Sequence, residues 1–258
     1  MIRVLVTGAD GQLGTCIQHQ ASAYPDVKMY YTNRTELDIS NSESLSTYFS
    51  RHSFDYCINC AAYTRVDDAE KDPEKAFSVN AEGVKNLAQA CKLKGVILIH
   101  ISTDYVFDGK KKEGYLPSDT PNPINEYGRS KLKGEQYIQV ILKDYLIIRT
   151  SWLYSEYGTN FYRTILEKAR QGHDLRVTDA QIGCPTNANN LAVFILDLIN
   201  SSEIRYGVIH FTDKKAMTWY EFAKMILKEN ELDSKVKVVR DKNYSTFARR
   251  PKYSILIS

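Results

Sequence analysis

The sequence lacks the marks of several large protein classes. No apolar run reaches the length of a membrane span, and the opening MIRVLVTGAD lacks the charged, apolar, small-residue order of a signal peptide. Charge of one sign is also missing. The 34 Lys and Arg against 31 Asp and Glu leave a formal net charge of +3, too little to argue for nucleic acid or an anionic membrane as partner. These absences predict a cytoplasmic protein. Cysteine is sparse and odd in number: Cys16, Cys57, Cys60, Cys91 and Cys184 are scattered through apolar stretches, which suits reduced thiols better than a disulfide framework. Cys57-Ile58-Asn59-Cys60 matches the CxxC pattern, but it lies in a stretch that reads as a buried strand, where side chains three apart face opposite ways. No nearby segment supplies further ligands, and the histidines show no ligand spacing, so no metal site is expected. Internal repeats and low-complexity segments are absent.

What is present is an ordinary globular balance, 43% hydrophobic and 25% charged residues, in a chain long enough to bury one substantial core. Apolar stretches alternate with segments of helical period. Strands are expected at 2–6, 28–32, 56–62, 96–101 and 145–149, with helices after Gly14, over 42–52 and from Asp72-Pro73 to near Gly95. This alternation implies an α/β fold with a doubly wound parallel sheet, Rossmann-like. Beyond Thr150 it becomes irregular, with helices at 161–171, 190–200 and 218–230 and a short strand at 208–211; Thr218 and Glu221 form a capping-box layout. The expected division is a dinucleotide-binding domain over 1–150, with 187–201 packing back on it, and a smaller, mainly substrate-binding α/β lobe over 151–258.

The first strand runs into Gly8-Ala9-Asp10-Gly11-Gln12-Leu13-Gly14 and then a helical pattern. Between a strand and a helix such a turn binds a dinucleotide: the glycines permit close backbone approach, and the helix N-terminus faces the pyrophosphate. A plain turn is the alternative. The second strand ends at Asn33 and Arg34, where an acid would favour NAD and an arginine can accept the extra phosphate of NADP. NADPH is therefore admissible beside NADH, with a surface arginine as the alternative. Asp38, in Leu37-Asp38-Ile39, is either an adenine partner or a solvated loop aspartate. Ala61-Ala62 leave room at a strand end for a cofactor, or equally for a helix. Asn80, an indifferent helix former inside an expected helix, suggests a buried polar task.

The fourth strand, the most apolar, delivers Ser102-Thr103-Asp104-Tyr105 to the same sheet edge, where a hydroxyl can donate to a substrate carbonyl. The loop at 109–125 reads as a surface excursion over the site. It returns the chain to Tyr127-Gly128-Arg129-Ser130-Lys131 at a helix start. A tyrosine and a lysine four apart project from one helical face, and a neighbouring ammonium eases proton transfer from a phenol. Tyr127 is thus a candidate general acid or base, although the spacing also fits an ordinary amphipathic helix.

In order and over nearly the whole chain, the blocks GADGQLG, NCAAYTRVDDAE, VNAEGVKNLA, STDYVFDG, PNPINEYGRSKLKGE, IRTSWLY, TDAQIGCPT and WYEFA resemble the extended short-chain dehydrogenase/reductases, and within them the dTDP-4-dehydrorhamnose reductase family. The resemblance implies an NAD(P)H-dependent oxidoreductase of dTDP-rhamnose biosynthesis that reduces the 4-keto group of dTDP-4-dehydro-L-rhamnose to dTDP-L-rhamnose. By the same carry-over Thr103 hydrogen-bonds the carbonyl, Tyr127 gives the proton, and Lys131 lowers the tyrosine's pKa and holds the nicotinamide ribose. Gly8, Gly11, Gln12, Leu13, Asp38, Ile39, Ala61, Ala62 and Tyr63 would line the cofactor, with Gly14 completing the turn. Thr64, Val66, Asp104, Tyr105 and Trp152 would face the sugar nucleotide, a core position being the alternative for Trp152. A homodimer is compatible with the family, and its magnesium at a dimer contact finds no assignable residues here. Arg65 stands where a small residue is common, and Arg249 and Arg250 either pair with the diphosphate or are ordinary exposed arginines. The family continues past Arg249-Arg250-Pro251 with a further helical stretch, whereas this sequence stops at Ser258, which reads as a shortened form. Two other readings share these features: a non-catalytic subunit resembling the methionine adenosyltransferase regulatory subunit, and a nucleotide-sugar epimerase or dehydratase. The dehydratase needs an extra acid, for which Asp104 is formally present.

Overall fold

Six parallel strands form the centre of the molecule. The structure, a computed structural model, describes residues 1–201 and 204–257; residues 202, 203 and 258, part of the lobe expected over 151–258, lie outside the described residues. Strand β1 (Ile2–Thr7) is followed by α1 (Gln12–Gln20), β2 (Val27–Thr32), α2 (Ser42–Arg51) and β3 (Tyr56–Asn59). Three short helices follow, α3 (Val66–Lys71), α4 (Pro73–Phe77) and, after a π-helical turn at Ser78–Gly83, α5 (Val84–Lys94). Then come β4 (Ile97–Thr103), α6 (Glu126–Ile141) and β5 (Tyr145–Thr150), and later α7 (Phe161–Arg170), α8 (Ala188–Asn200), the edge strand Gly207–His210 and α9 (Trp219–Glu229). In space the order is edge strand, β5, β4, β3, β1, β2, every pair parallel. Strand β2 lies on one side of β1 and β3 on the other, so the winding reverses between β1 and β3. That reversal opens a crevice at the carboxyl ends of the strands.

Both faces of the sheet are covered, which is why the strands read as apolar runs rather than alternating ones. On one face Leu13, Cys16 and Ile17 of α1 and Leu191, Ile195 and Ile199 of α8 pack on Val4, Val6, Ile58 and Ile148. On the other, Leu45 and Phe49 of α2, Leu87 and Cys91 of α5 and Ile138 of α6 pack on Leu5, Cys57, Leu98 and Ile147. Each large apolar side chain buried this way stabilises by about 1.5–3 kcal/mol. Cys57 belongs to the second core while Cys60 packs against the first, so the two do face opposite ways, and all five cysteines are free thiols. A further core joins Ile165 and Leu166 of α7 to Phe222 and Ile226 of α9, whose N-terminus carries the expected capping box of Thr218 and Glu221.

The structure departs from the sequence reading at three places. Strand β3 stops at Asn59 rather than reaching Ala62, because Asn59 Oδ1 accepts from the backbone N–H of Ala61 at 3.1 Å and turns the chain. The helix expected from Asp72 to Gly95 is broken by the π-helical turn, and Asn80 sits inside it, fully buried. Its Oδ1 accepts from Tyr63 N at 2.8 Å, and its Nδ2 donates to Tyr63 O at 2.9 Å and Ser130 Oγ at 3.0 Å. The widened turn thus makes room for a polar side chain that ties the loop after β3 to α6. The loop at 109–125 does not line the cavity. It holds the C-terminal segment instead, with Tyr115 N donating to Ile255 O at 2.8 Å and Ile257 N to Tyr115 O at 2.9 Å.

Candidate active site

The crevice contains a cavity of about 590 Å³ lined by Gly11, Gln12, Leu13, Ala62, Thr64, Val66, Thr103, Asp104, Tyr105, Tyr127, Lys131 and Trp152, together with Thr150, Asn160, Trp219 and Arg250. The turn that leads to it is set by backbone proximity at Gly8 and Gly14, which themselves lie outside the lining. Gly8 has φ of +64°, and a Cβ there would lie 2.7 Å from the backbone of Ala61, so only glycine lets the turn after β1 rest on the end of β3. Gly14 faces Ala9 as closely, at 2.6 Å. Gly11 is the N-cap of α1, without a side-chain cap, and Gly11, Gln12 and Leu13 at the start of that helix line the cavity. Ala61 and Tyr63 lie outside the lining, and Tyr63 is held through its backbone by Asn80.

Arg34, Asp38 and Ile39 are also outside the lining. Arg34 Nε donates to Asp38 Oδ2 at 3.2 Å from a side chain that is 72% exposed. Asp38 Oδ1 takes Ser40 N at 2.9 Å and Ser40 Oγ at 2.6 Å. Burial opposes ionisation of this carboxyl, but the hydrogen bonds from Ser40 and Arg34 outweigh it and hold it below its ordinary value. Ile39 is buried in the core beside α5.

Helix α6 brings the phenol to the strand end. Asn125 caps it, its Oδ1 accepting from Gly128 N at 2.7 Å while its Nδ2 donates to Arg249 O at 2.8 Å. A Cβ on Gly128 would lie 2.1 Å from Tyr105 O, so glycine at this position is what allows the first turn of α6 to press on the turn after β4. The Tyr105 and Tyr127 rings meet edge to face with centroids 5.8 Å apart. Burial pushes the Tyr127 phenol well above the ordinary tyrosine range, while the adjacent Thr103 hydroxyl pulls it back and Asp104 and Tyr105 push it further up. Thr103 Oγ1 donates to Asp104 Oδ1 at 3.0 Å and accepts from Tyr105 N at 3.2 Å. Asp104 is buried, and that burial raises its carboxyl to about 7 against weaker opposing pulls from the Ser254 and Thr103 hydroxyls. Lys131, 2% exposed, points its Nζ at Ile101 O (2.7 Å) and His100 Nε2 (3.3 Å), and burial lowers it to about 8. Burial is thus the largest influence on the phenol's affinity for its proton in this structure.

Elsewhere on the cavity wall Trp152 occupies a left-handed backbone conformation, φ +47°. Its ring lies over Trp219 with centroids 3.5 Å apart and planes within 4°. A Cβ on Gly183 would come 2.5 Å from the Trp152 ring, so the indole is clamped between a glycine and a second tryptophan. Arg250 Nη2 donates to Asp67 Oδ2 at 2.9 Å beside the cavity, whereas Arg249 and Arg65 are exposed. Among the described residues, Gln12 Nε2, Asp104 Oδ2, Thr150 Oγ1 and Arg250 Nε are buried atoms of lining side chains that make no hydrogen bond. Native interiors rarely leave such atoms unpaired, so this wall is built for a polar ligand. His100, Asn160 and Trp219 escape the sequence reading. A histidine in the most apolar strand is the one local signal among them.

The family model for the RmlD substrate binding domain matches residues 2–258. A dTDP-4-dehydrorhamnose reductase from Sinorhizobium fredii is 37% identical, covering 99% of this chain and 88% of its own. A dTDP-4-keto-6-deoxy-D-glucose reductase from Streptomyces niveus is 36% identical over 98% of this chain and 88% of its own. Among solved structures, dTDP-4-dehydrorhamnose reductase from Bacillus anthracis in complex with NADP superposes with a TM-score of 0.94 at 40% identity, covering 100% of this chain and 91% of that one. A likeness this complete, in sequence and in fold, places the chain in the RmlD family of dTDP-4-dehydrorhamnose reductases.

Proposed function

We propose that the protein reduces the 4-keto group of dTDP-4-dehydro-L-rhamnose to give dTDP-L-rhamnose, using NADPH, with Tyr127 as proton donor. One observation carries this reading: the glycine turn, the Thr103 hydroxyl and the Tyr127 phenol converge on a single cavity whose wall holds unsatisfied buried polar atoms. The residues fit the cofactor. The close approach at Gly8 leaves the N-terminus of α1 open for a diphosphate, Gln12 Nε2 is buried without a partner, and Lys131 is the cation available to a ribose. Arg34, exposed at the end of β2, is the group available to a 2′-phosphate. When bound, NADPH supplies the hydride.

The chain's own residues manage the oxygen. As electron density moves onto the carbonyl oxygen, the Thr103 hydroxyl turns its one proton from Asp104 to that oxygen, Tyr127 hydrogen-bonds it as well, and Tyr127 completes the step by giving its proton. A phenol with a raised pKa stays protonated at neutral pH until that moment. Asp104, near its own pKa at neutrality, carries its proton for part of the time and then spares the phenol a neighbouring negative charge. The Trp152–Trp219 stack forms an apolar wall that keeps water from the sugar. We assign 151–258 mainly to holding the sugar nucleotide.

The test is to add dTDP-4-dehydro-L-rhamnose to protein and NADPH and follow the absorbance of the reduced nicotinamide. Loss of absorbance that depends on the sugar is expected. No loss, with tight binding of a protein partner instead, would overturn the enzymatic reading.

A further inference from the structure

A chain of buried polar groups runs from β1 to Lys131, and each link fixes the direction of the next. The Ala61 backbone N–H can only donate, and it lies 3.1 Å from Asn59 Oδ1, which also accepts from Thr7 Oγ1 at 2.8 Å. That oxygen is therefore committed to Ala61 and Thr7. Asn59 Nδ2, a donor, is left facing His100 Nδ1 at 3.0 Å. His100 is fully buried, and burial together with the Lys131 charge holds it far below its ordinary value, so it is neutral. With Nδ1 accepting, its single proton must lie on Nε2. Nε2 faces Lys131 Nζ at 3.3 Å.

The consequence falls on the lysine. An ammonium has only donors and meets the imidazole N–H head on, whereas a neutral amine has a lone pair that accepts it. The bond from Nζ to Ile101 O, 2.7 Å, is available in either state. The surroundings only partly offset this. Glu135, one turn along α6, pulls the lysine's proton affinity up through its charge, less than burial lowers it, and its oxygens are occupied by Arg149 and Ser102. The Cys60 thiol beyond β3 is pushed up to about 12 and stays protonated. Asp104 and Tyr127 on the cavity wall are both pushed up by burial, and among the described residues no carboxylate pairs with Lys131.

We propose that His100, oriented by Asn59, is a positioning residue for the reduction: its Nε2–H, aimed at Lys131 Nζ, favours the neutral amine over the ammonium and sets the pH at which Lys131 changes its charge. The inference rests on the reductase reading, in which the protonated lysine is the active form and its deprotonation gives the basic limb of the rate profile.

Two variants and one spectroscopic measurement test it. His100→Leu removes the opposing donor, so the basic limb of kcat/KM for the 4-keto sugar should move up by about one pH unit, a tenfold rise in the lysine's proton affinity. His100→Gln keeps an amide donor at about the position of Nε2 and should leave the limb near its wild-type place. Thermal midpoints of both variants separate these effects from loss of folded protein. In the wild type, ¹⁵N NMR of the imidazole should place the proton of His100 on Nε2. Equal losses of kcat in both variants with an unmoved limb would make His100 merely structural and overturn the proposal, and so would a proton on Nδ1 or a charged imidazolium. A wild type without turnover would sink the reductase reading and with it any part of His100 in a reduction, and the tautomer together with the pH at which Lys131 titrates, read by NMR, would decide whether His100 sets the lysine's charge.

Discussion

Lys131 and Glu135 stand one turn apart on α6, both almost fully buried, and the fold treats them in opposite ways. Glu135 receives Arg149 through Nε at 3.0 Å and Nη2 at 2.7 Å, and Ser102 Oγ at 2.5 Å. This two-pronged pair repays much of the desolvation of both charges and fastens α6 to β4 and β5. Lys131 has a carbonyl and an imidazole for direct partners, and burial lowers it to about 8 against the weaker upward pull of the Glu135 charge. One buried charge is fixed and the other is kept titratable beside the cavity. On the proposed reading, the same helix separates a structural task from a chemical one by a single turn.

The largest effect should come from the chemical side. Tyr127→Phe removes the proposed proton donor and should lower kcat by roughly 10² to 10⁴ while NADPH binding, followed by fluorescence titration, stays unchanged. A variant with normal turnover would remove Tyr127 from the mechanism. Breaking the structural side should cost stability instead. Arg149→Met leaves Glu135 buried and unpaired and should lose about 3–5 kcal/mol in denaturant unfolding. Lys131→Met, which removes a buried charge without stranding another, should keep or raise stability while turnover collapses. Equal losses of stability in the two variants would erase the distinction between the residues.

Asp104→Asn probes a carboxyl whose folded pKa, about 7, lies above its ordinary value. Between that ordinary value and 7 the folded chain holds a proton the unfolded chain has lost, so this group's contribution falls as pH rises through the window and is least favourable above 7. The variant should flatten that dependence and gain on the order of 2–4 kcal/mol at pH 8, read from unfolding curves across the window. A steeper dependence in the variant would show that Asp104 is ionised in the folded chain. The smallest effect is expected at the apolar wall, where Trp219→Leu removes the stacking partner of Trp152 and should raise KM for the sugar about two- to tenfold with NADPH affinity unmoved. An unchanged KM would make the stack mere core.

The sheet is legible in the sequence because its signals are local: β-branched runs, a glycine turn between strand and helix, and a proline just inside a helix start. Thr103, Tyr127 and Lys131 are legible for the same reason, each lying at the end of an element the pattern itself defines. What surrounds them is not. Gly128 matters because Tyr105 O approaches it, and Asn59 because the Ala61 N–H turns back on it. Trp219 reaches Trp152 from another helix, far along the chain. Such roles depend on approach between distant segments, which spacing does not record. Asn80 is intermediate: its poor helix propensity signals a buried polar task, but the π-helical turn that accommodates it and the identity of its partners come from tertiary packing.

The most direct measurement follows a labelled hydrogen. Protein, dTDP-4-dehydro-L-rhamnose and NADPH carrying deuterium at C4 of the nicotinamide, on the face that is transferred, should yield dTDP-L-rhamnose with that deuterium at C4 of the sugar. Testing each C4-labelled epimer of NADPH in turn covers both faces. A sugar product free of deuterium with both labels, or the 4-keto sugar recovered unchanged, would contradict the account.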